Sequence, residues 1–184
     1  MRGPRLDRID RQILQLLQAD GRMTNIELAR RVGISPPPCL RRVRALEIAG
    51  LIRGYHADLV PESLGFGITV FAQIGLASQA ETDLKAFETR VAAWPEVREA
   101  HMLAGETDFL LKIVAADWDS YQHFLSEKLT SAPNVNQVKS ALVLRVSKAV
   151  PGVPLSEIEF DDETDTAATA HDDMAAADIG SGPE

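Results

Sequence analysis

Arginine is concentrated in the first third of the sequence. Five of these arginines lie close together along the chain: Arg30, Arg31, Arg41, Arg42 and Arg44. The guanidinium group is permanently charged and holds its N–H donors in a planar fork, which suits bidentate contacts with phosphate and with guanine edges. Around the last three arginines, Leu40, Val43 and Leu46 recur at helical spacing and are expected to face inward. Arg41 then points away from the core, with its two arginine neighbours on the flanks. The pattern predicts an anion-binding face on one helix.

Charge is distributed unevenly along the 184 residues. Residues 1–55 carry a net charge of +6, residues 56–150 of −4 and residues 151–184 of −10, within a total of −8. This asymmetry is expected where one part of a protein must approach phosphate. An arginine-rich helix is by itself more often a solvated surface, so the neighbouring elements must decide between the two interpretations.

Two further helices are predicted before the arginine-rich helix. The first spans residues 6–19 and has an apolar face of Leu6, Ile9, Ile13, Leu16 and Leu17. The second opens on a capping box of Thr24 and Glu27 and ends at Gly33. Its inward residues are predicted to be Ile26, Ala29 and Val32. Ser35 then caps the third helix, which runs to Gly50. Two short helices joined by a turn that contains glycine indicate a helix-turn-helix.

Three prolines, Pro36, Pro37 and Pro38, follow the predicted cap. Backbone N–H groups at the first positions of a helix have no intrahelical partner, so prolines there remove no helical hydrogen bond. Because a residue before proline is pushed out of the α region, the first regular turn is expected to begin nearer Pro38 than Pro36. Residues 51–57 alternate around a glycine and predict a short β-wing, on which Arg53 is placed to touch phosphate or a minor groove. Residues 1–57 are therefore predicted to form a winged helix-turn-helix.

A second domain is predicted over residues 68–150, after a linker at 58–67 that contains proline and glycine. Its hydrophobic pattern predicts, in chain order, strand, helix, strand, strand, helix and strand. The predicted strands cover residues 68–76, 97–103, 109–114 and 135–146. This order indicates a ferredoxin-like βαββαβ domain, so the whole chain is predicted to be an α+β protein. Apolar residues on the open face of the sheet predict a homodimer, whose two recognition helices would reach half-sites about 34 Å apart or a multiple of that.

The first domain contains a series of short sequence motifs in a fixed order: LDRIDR at 6–11, DGR at 20–22, ELARRVGISP at 27–36, RV at 42–43, LE at 46–47, GLI at 50–52 and GY at 54–55. They resemble the leucine-responsive and asparagine regulator family, Lrp/AsnC, over about residues 6–148. The resemblance implies a DNA-binding transcriptional regulator whose dimers assemble into tetramers or octamers. Pro37 departs from the pattern, because members often carry a polar residue there. The residues expected to contact double-stranded DNA are Arg30, Arg31, Ser35, Pro36, Pro38, Arg41, Arg42, Arg44 and Arg53.

The resemblance also implies a small-molecule effector, an amino acid, bound between subunits by the family's G-x-x-D-[FY] element at residues 105–109. Asp108 or Glu106 can accept hydrogen bonds from the ammonium group of a zwitterion. Gly105 and Thr107 of one subunit, and Ser140 of the partner subunit, can donate hydrogen bonds to the carboxylate of the amino acid. The same residues are also typical of a turn, and the sequence leaves the two interpretations open.

Residues 151–184 contain ten acidic residues, no Lys or Arg, and hardly any large apolar residue after Phe160. Such a segment cannot bury enough surface to offset the entropy of ordering, so we predict a disordered, solubilising acidic tail. The sequence has neither a signal-peptide pattern nor an apolar stretch long enough for a bilayer span. We therefore expect a cytoplasmic, nucleoid-associated protein without membrane contact.

No pattern in the sequence indicates that the protein catalyses a reaction. The four histidines lack metal-ligand spacing, no glycine-rich phosphate loop is present, and the single Cys39 is expected to be a small buried apolar residue. We therefore predict no catalytic residue, no metal and no cofactor. The alternatives left open are an enzyme on the ferredoxin-like scaffold, and an amino-acid-binding or RNA-binding module without direct gene regulation.

Overall fold

The computed structural model describes residues 6–155, which divide into two compact units. The first unit contains the described residues up to Ala57 together with those from Val150 onward, and the second unit is Asp58–Ala149. The chain therefore enters the first unit twice. Among the described residues, no helix is both long and apolar enough to cross a membrane.

Three helices form the first unit: α1 (Arg8–Ala19), α2 (Asn25–Val32) and α3 (Pro36–Ile48). Asp7 caps α1 by accepting a hydrogen bond from the Asp10 N–H at 2.8 Å, which satisfies one of the donors that a helix start leaves unpaired. Gly33 ends α2 in the left-handed conformation, as the sequence predicted. The core consists of Ile13, Leu28, Ala29, Val32, Cys39 and Leu46.

The inward faces of α2 and α3 differ from the predicted ones. In α2, Leu28 is buried and Ile26 is 72% exposed; in α3, Cys39 is buried and Leu40 is 39% exposed. One residue turns a helix by about 100°, so apolar neighbours such as Cys39 and Leu40 compete for the core and packing against the other helices selects one. The predictions that placed Ile26 and Leu40 in the core are wrong, and the burial predicted for Cys39 is confirmed.

The capping box of α2 is only half formed. The Thr24 hydroxyl accepts a hydrogen bond from the Glu27 N–H at 3.3 Å, as expected. The Glu27 carboxylate does not return to the Thr24 backbone, because it is occupied by two arginines described below. The helix α3 begins at Pro36, earlier than the expected start near Pro38, and its first i to i−4 bond runs from the Cys39 N–H to the Ser35 carbonyl at 3.2 Å.

Residues 51–57 form neither a strand nor a helix in the part of the chain that the structure describes. The segment predicted to form the wing is present, but it pairs with no strand of the described chain and so forms no β-ladder. The Tyr55 hydroxyl donates to Glu47 Oε1 at 3.1 Å, which ties this segment to α3. The Tyr55 ring also lies over Gly21, where a Cβ atom would stand 3.2 Å from the ring.

The second unit contains one four-stranded antiparallel sheet and two helices on one of its faces. The strands are β1 (Ile68–Leu76), β2 (Val97–Met102), β3 (Phe109–Ala115) and β4 (Val135–Leu142), and the helices are α4 (Glu81–Ala92) and α5 (Trp118–Phe124). The spatial order β2-β3-β1-β4 is that of a ferredoxin-like domain, which confirms the predicted α+β fold. The linker contains a short 3-10 turn, Glu62–Leu64.

Alternation along β1 determines which side chains reach the core. Val70, Ala72 and Ile74 are fully buried against the two helices, together with Phe87, Tyr121 and others. The opposite face mixes apolar and polar side chains, since Phe71 and Leu110 share it with Glu99, Gln73 and Lys112. This open face is therefore less apolar than the sequence pattern indicated.

Two elements of the second unit end differently from the prediction. The helix α5 continues into a π-helical turn, Leu125–Leu129, in which the Thr130 N–H donates to the Leu125 carbonyl at 2.8 Å. The strand β4 ends at Leu142, four residues earlier than predicted. Its last bond runs from the Val143 N–H to the Thr69 carbonyl at 2.9 Å, and Leu144 beyond it is 91% exposed.

Residues 150–155 belong to the first unit and contact α1. The Gln18 side-chain amide donates to the Val153 carbonyl at 2.9 Å and accepts from the Val153 N–H at 3.0 Å, and Leu155 is buried. Gly152 has a positive φ of 83°, and a Cβ there would stand only 2.0 Å from the Gln18 side chain. The disorder predicted for the tail is therefore wrong for residues 151–155, and the remainder of the predicted tail lies outside the described residues.

Removing residues 151–155 is expected to loosen α1. A chain that ends at Val150 loses both Gln18 hydrogen bonds and the burial of Leu155, which together contribute about 2 kcal/mol. Amide hydrogen exchange of peptides from α1 should be faster in this chain than in one that ends at Leu155. Equal exchange in the two truncated chains would show that the segment only rests on the surface of the first unit.

Candidate nucleic-acid interface and ligand site

The exposed face of α3 is built from residues opposite its buried side. At about 100° per residue, Pro37, Arg41, Arg44 and Ile48 fall within about 60° of one another and point away from Cys39 and Leu46. Both arginines are exposed, and neither forms an ion pair with any residue between 6 and 155. Their donors therefore remain available to an external anion.

The start of α3 is held by α2. The Asn25 side-chain amide donates to the Pro36 carbonyl at 2.8 Å, which links the two helices across the turn. Ser35 stands at the cap with extended backbone and makes no side-chain cap hydrogen bond. Ser35 and Pro36 are exposed and Pro38 is half-buried. The helix end that carries the predicted contacts is thus fixed in position.

Arg42 differs from its arginine neighbours. Its Nη1 lies 2.6 Å from Asp7 Oδ2 and 2.8 Å from Asp10 Oδ1, and its side chain is 35% exposed. Burial alone would raise the pKa of Asp7, but hydrogen bonds from the Asp10 N–H and from Arg42 outweigh it, and the pKa of Asp7 is lowered. Arg42 therefore joins α3 to the start of α1, and its charge is neutralised within the unit.

Arg30 and Arg31 share one carboxylate. Arg30 Nε and Nη2 donate to the two Glu27 oxygens at 2.9 and 2.7 Å, and Arg31 Nε donates to Glu27 Oε1 at 2.7 Å. Hydrogen bonds from Arg30 and then Arg31 lower the pKa of Glu27 from 4.5 to about 2. The ion pairs are therefore complete above the ordinary pKa of the carboxyl and are lost as the pH falls towards 2. Glu27 orients both guanidinium groups and leaves a net charge of +1.

The hairpin between β2 and β3 contains the predicted effector residues Gly105, Glu106, Thr107 and Asp108. Asp108 is buried, and both its carboxylate oxygens are used: Oδ2 accepts from the Leu76 N–H at 2.6 Å and Oδ1 from the Gln79 side-chain amide at 2.8 Å. Its backbone also bonds to Ile74 and Leu103. Asp108 therefore ties the hairpin to the end of β1, which supports the turn interpretation for this residue.

The remaining effector candidates lie in different environments. Gly105 and Glu106 are exposed and Thr107 is half-buried, so the Glu106 carboxylate is the accessible one of the pair. Ser140 lies on β4 opposite Ala72, and its hydroxyl contacts the Tyr121 hydroxyl on the helix-covered side of the sheet. Within one chain the structure brings residues 105–108 together and keeps Ser140 engaged with α5.

A cavity of about 380 Å³ lies between α4 and β2. Its lining combines apolar side chains, among them Val91 and Met102, with the charged Glu88 and Arg98. No sequence pattern indicated this cavity, because it arises where a helix crosses the exposed edge strand of the sheet.

Comparisons with known proteins match both units. Residues 6–53 match the model for a winged helix-turn-helix DNA-binding domain, and residues 69–153 match the model for the Lrp/AsnC ligand binding domain. The leucine-responsive regulatory protein of Rhizobium meliloti (strain 1021) is 54% identical over 143 residues, which cover 78% of this chain and 92% of that protein. The chain belongs to the Lrp/AsnC family.

Other members of the Lrp/AsnC family align over a similar range. The leucine-responsive regulatory protein of Escherichia coli (strain K12) is 44% identical over 146 residues, covering 79% of this chain and 89% of that protein. A crystal structure of a transcriptional regulator from Neisseria meningitidis in complex with L-Met superposes with a TM-score of 0.78 at 41% identity, covering 82% of this chain and 97% of that one. These comparisons confirm the family and the fold predicted from the sequence.

Sequence reasoning missed two features of this Lrp/AsnC chain. The first is the pairing of Arg42 with Asp7 and Asp10, residues more than thirty positions away. The second is the pairing of Asp108 with Leu76 and Gln79, about thirty positions away. In both cases the sequence showed a polar residue at a place suited to a ligand, and only the folded chain supplies the internal partner.

Proposed function

We propose that this Lrp/AsnC regulator inserts α3 into the major groove of specific DNA sites and controls transcription there. The observation that carries this proposal is the exposed face of α3, on which Arg41 and Arg44 have no ion-pair partner among residues 6–155. The N-terminal part of a recognition helix contacts base edges, which is where Arg41 lies. Arginine at such a place binds guanine or phosphate.

The other predicted contacts fall into two groups. Arg30, Arg31 and Arg53 are exposed and suited to backbone phosphates, and Ser35, Pro36 and Pro38 surround the start of α3, where the chain can approach the duplex closely. Arg42 contributes mainly to the stability of the first unit, because its ion pairs hold α3 against the start of α1. We therefore assign the direct contacts to Arg41 and Arg44 ahead of Arg42.

An amino-acid effector bound by the second unit modulates this DNA binding. The match to a ligand binding domain and the L-Met complex of the Neisseria relative support this part of the proposal. Because Asp108 is buried and each of its carboxylate oxygens already accepts a hydrogen bond within the chain, the exposed Glu106 is the better partner for the effector ammonium group, with Asp108 holding the hairpin in shape. Thr107, Gly105 and Ser140 of the partner subunit supply donors for its carboxylate.

Assembly follows from the open sheet face and from DNA geometry. The exposed Phe71 and its neighbour Leu110 are suited to a homodimer in which sheet packs on sheet, and such dimers would associate further into tetramers or octamers. We propose that the protein is not an enzyme and that it acts at the nucleoid in the cytoplasm, because the relatives that it matches are regulatory proteins and its first unit matches a DNA-binding domain.

Replacing Glu106 with Gln is expected to weaken the effector response without harming the fold. The substitution removes the charge that pairs with an ammonium group and changes an exposed side chain only. Calorimetry with each of the twenty amino acids should show at least a tenfold loss of affinity for the one that binds wild type. The matched control is Glu62→Gln, also exposed in the second unit, which should bind as wild type does. Equal heats from Glu106→Gln and wild type would remove Glu106 from the site.

The DNA part of the proposal is tested by selection from genomic fragments. Purified full-length protein is incubated with sheared DNA from its own genome, and the bound fragments are sequenced. We expect enrichment of a small set of fragments that share a two-fold symmetric motif. Uniform recovery of all fragments would contradict sequence-specific regulation.

A further inference from the structure

Leu40 is an exposed apolar side chain that lies among the arginines of α3. Leu40 is 39% exposed and stands outside the core cluster, since Cys39 fills the inward position beside it. A leucine in this position loses hydrophobic stabilisation in the free protein, and the exposed surface remains available to a partner.

Leu40 is part of a continuous patch on α3. Residues three and four positions apart are neighbours on a helix, so Leu40 lies next to both Pro37 and Arg44, and Arg44 lies next to Arg41. All four residues are exposed. An apolar strip of Pro37 and Leu40 therefore lies beside a strip of two arginines.

The major groove of DNA offers one matching apolar group. Each base pair presents hydrogen-bonding atoms there, and only thymine adds a C5 methyl group, which apolar side chains contact. Arginine in the same groove contacts guanine O6 and N7 or a phosphate. The two strips thus match a thymine methyl beside a guanine or a phosphate.

We propose that Leu40 is a specificity residue that contacts a thymine methyl in each half-site, next to the groups bound by Arg41 and Arg44. This inference rests on the proposed function, because it requires α3 to enter the major groove. It goes further by naming the base and the atom that the apolar side chain reads.

The test replaces thymine with deoxyuridine, which keeps base pairing and removes only the methyl group. In the site recovered by selection, each thymine is replaced in turn and the affinity is measured by fluorescence anisotropy. For wild type we expect about a fourfold loss at one position in each half-site, the value for one buried methyl group. Leu40→Ala should bind the thymine and deoxyuridine duplexes equally at that position.

Two further variants check that any change comes from this contact. Leu40→Met keeps an apolar side chain and should retain discrimination between thymine and deoxyuridine. Ile48→Ala removes a side chain that is 88% exposed on the same helix, about 12 Å further along the axis, and should also retain it. Hydrogen exchange of α3 should be the same in Leu40→Ala and wild type, since the side chain is partly exposed.

The outcomes separate the two proposals. If wild type binds no DNA selectively, the proposed function fails. If wild type binds its selected site and no deoxyuridine lowers affinity, or if Leu40→Ala still distinguishes the two bases, Leu40 does not read a methyl group and the regulator function stands.

Discussion

Replacing Arg41 and Arg44 together with alanine is expected to abolish selective DNA binding at moderate salt. Each arginine that contacts a base or phosphate contributes about 1–3 kcal/mol, so the double variant should bind its selected site at least about 30-fold more weakly. The slope of log affinity against log salt should also become shallower by about one unit for each phosphate that the variant no longer neutralises. Anisotropy titrations at four salt concentrations measure both quantities.

The control must remove the same charge elsewhere. Arg90 and Arg145 are exposed residues of the second unit, and their double replacement with alanine also lowers the net charge by two. This control should keep most of the affinity and the slope. Arg42→Ala is a second comparison, because it should mainly destabilise the first unit through loss of the bonds to Asp7 and Asp10. Equal binding by wild type and the Arg41/Arg44 variant would place the DNA interface elsewhere.

Replacing Asp108 with alanine is expected to destabilise the second unit by about 3 kcal/mol. The carboxylate accepts one hydrogen bond from the Leu76 N–H and one from the Gln79 amide, and its loss leaves a buried backbone donor without a partner. Trp94 and Trp118 both lie in this unit, so their fluorescence follows its unfolding in urea. The midpoint should move to clearly lower urea concentration.

Asp108→Asn separates the hydrogen bonds from the charge. The asparagine oxygen can still accept from the Leu76 N–H, and the Gln79 amide can turn its oxygen towards the asparagine NH₂ group. We expect this variant to stay within about 1 kcal/mol of wild type. An unchanged midpoint for Asp108→Ala would mean that Asp108 does not hold the hairpin.

The sheet of the second unit was predictable because its pattern is local and strong. Five alternating apolar residues, from Ile68 to Leu76, leave one choice of face for β1. The faces of α2 and α3 were less certain, because Cys39 and Leu40 are both apolar and adjacent. Packing of the three short helices buries Cys39 and not Leu40, and the sequence pattern of α3 alone does not predict which of the two is buried.

The sequence predicts candidate site residues, and it does not predict which of them have partners inside the folded chain. The cluster of arginines, the helix-turn-helix and the G-x-x-D element all follow from the sequence. The distinction between Arg41, which is free of ion pairs within residues 6–155, and Arg42, which is paired, depends on carboxylates at Asp7 and Asp10 that folding brings close. The same holds for Asp108, whose partners come from the end of β1 and the loop after it.

The measurement that tests the account most directly is a DNA-binding titration of the full chain with and without amino acids. The selected site and a scrambled duplex of equal length and composition are titrated, first alone and then with each amino acid that binds in calorimetry. We predict at least a hundredfold preference for the selected site and a change of about threefold or more when one amino acid is present, because an effector must bind two states differently to alter DNA affinity. Equal affinity for the two duplexes, unchanged by every amino acid, would contradict the account.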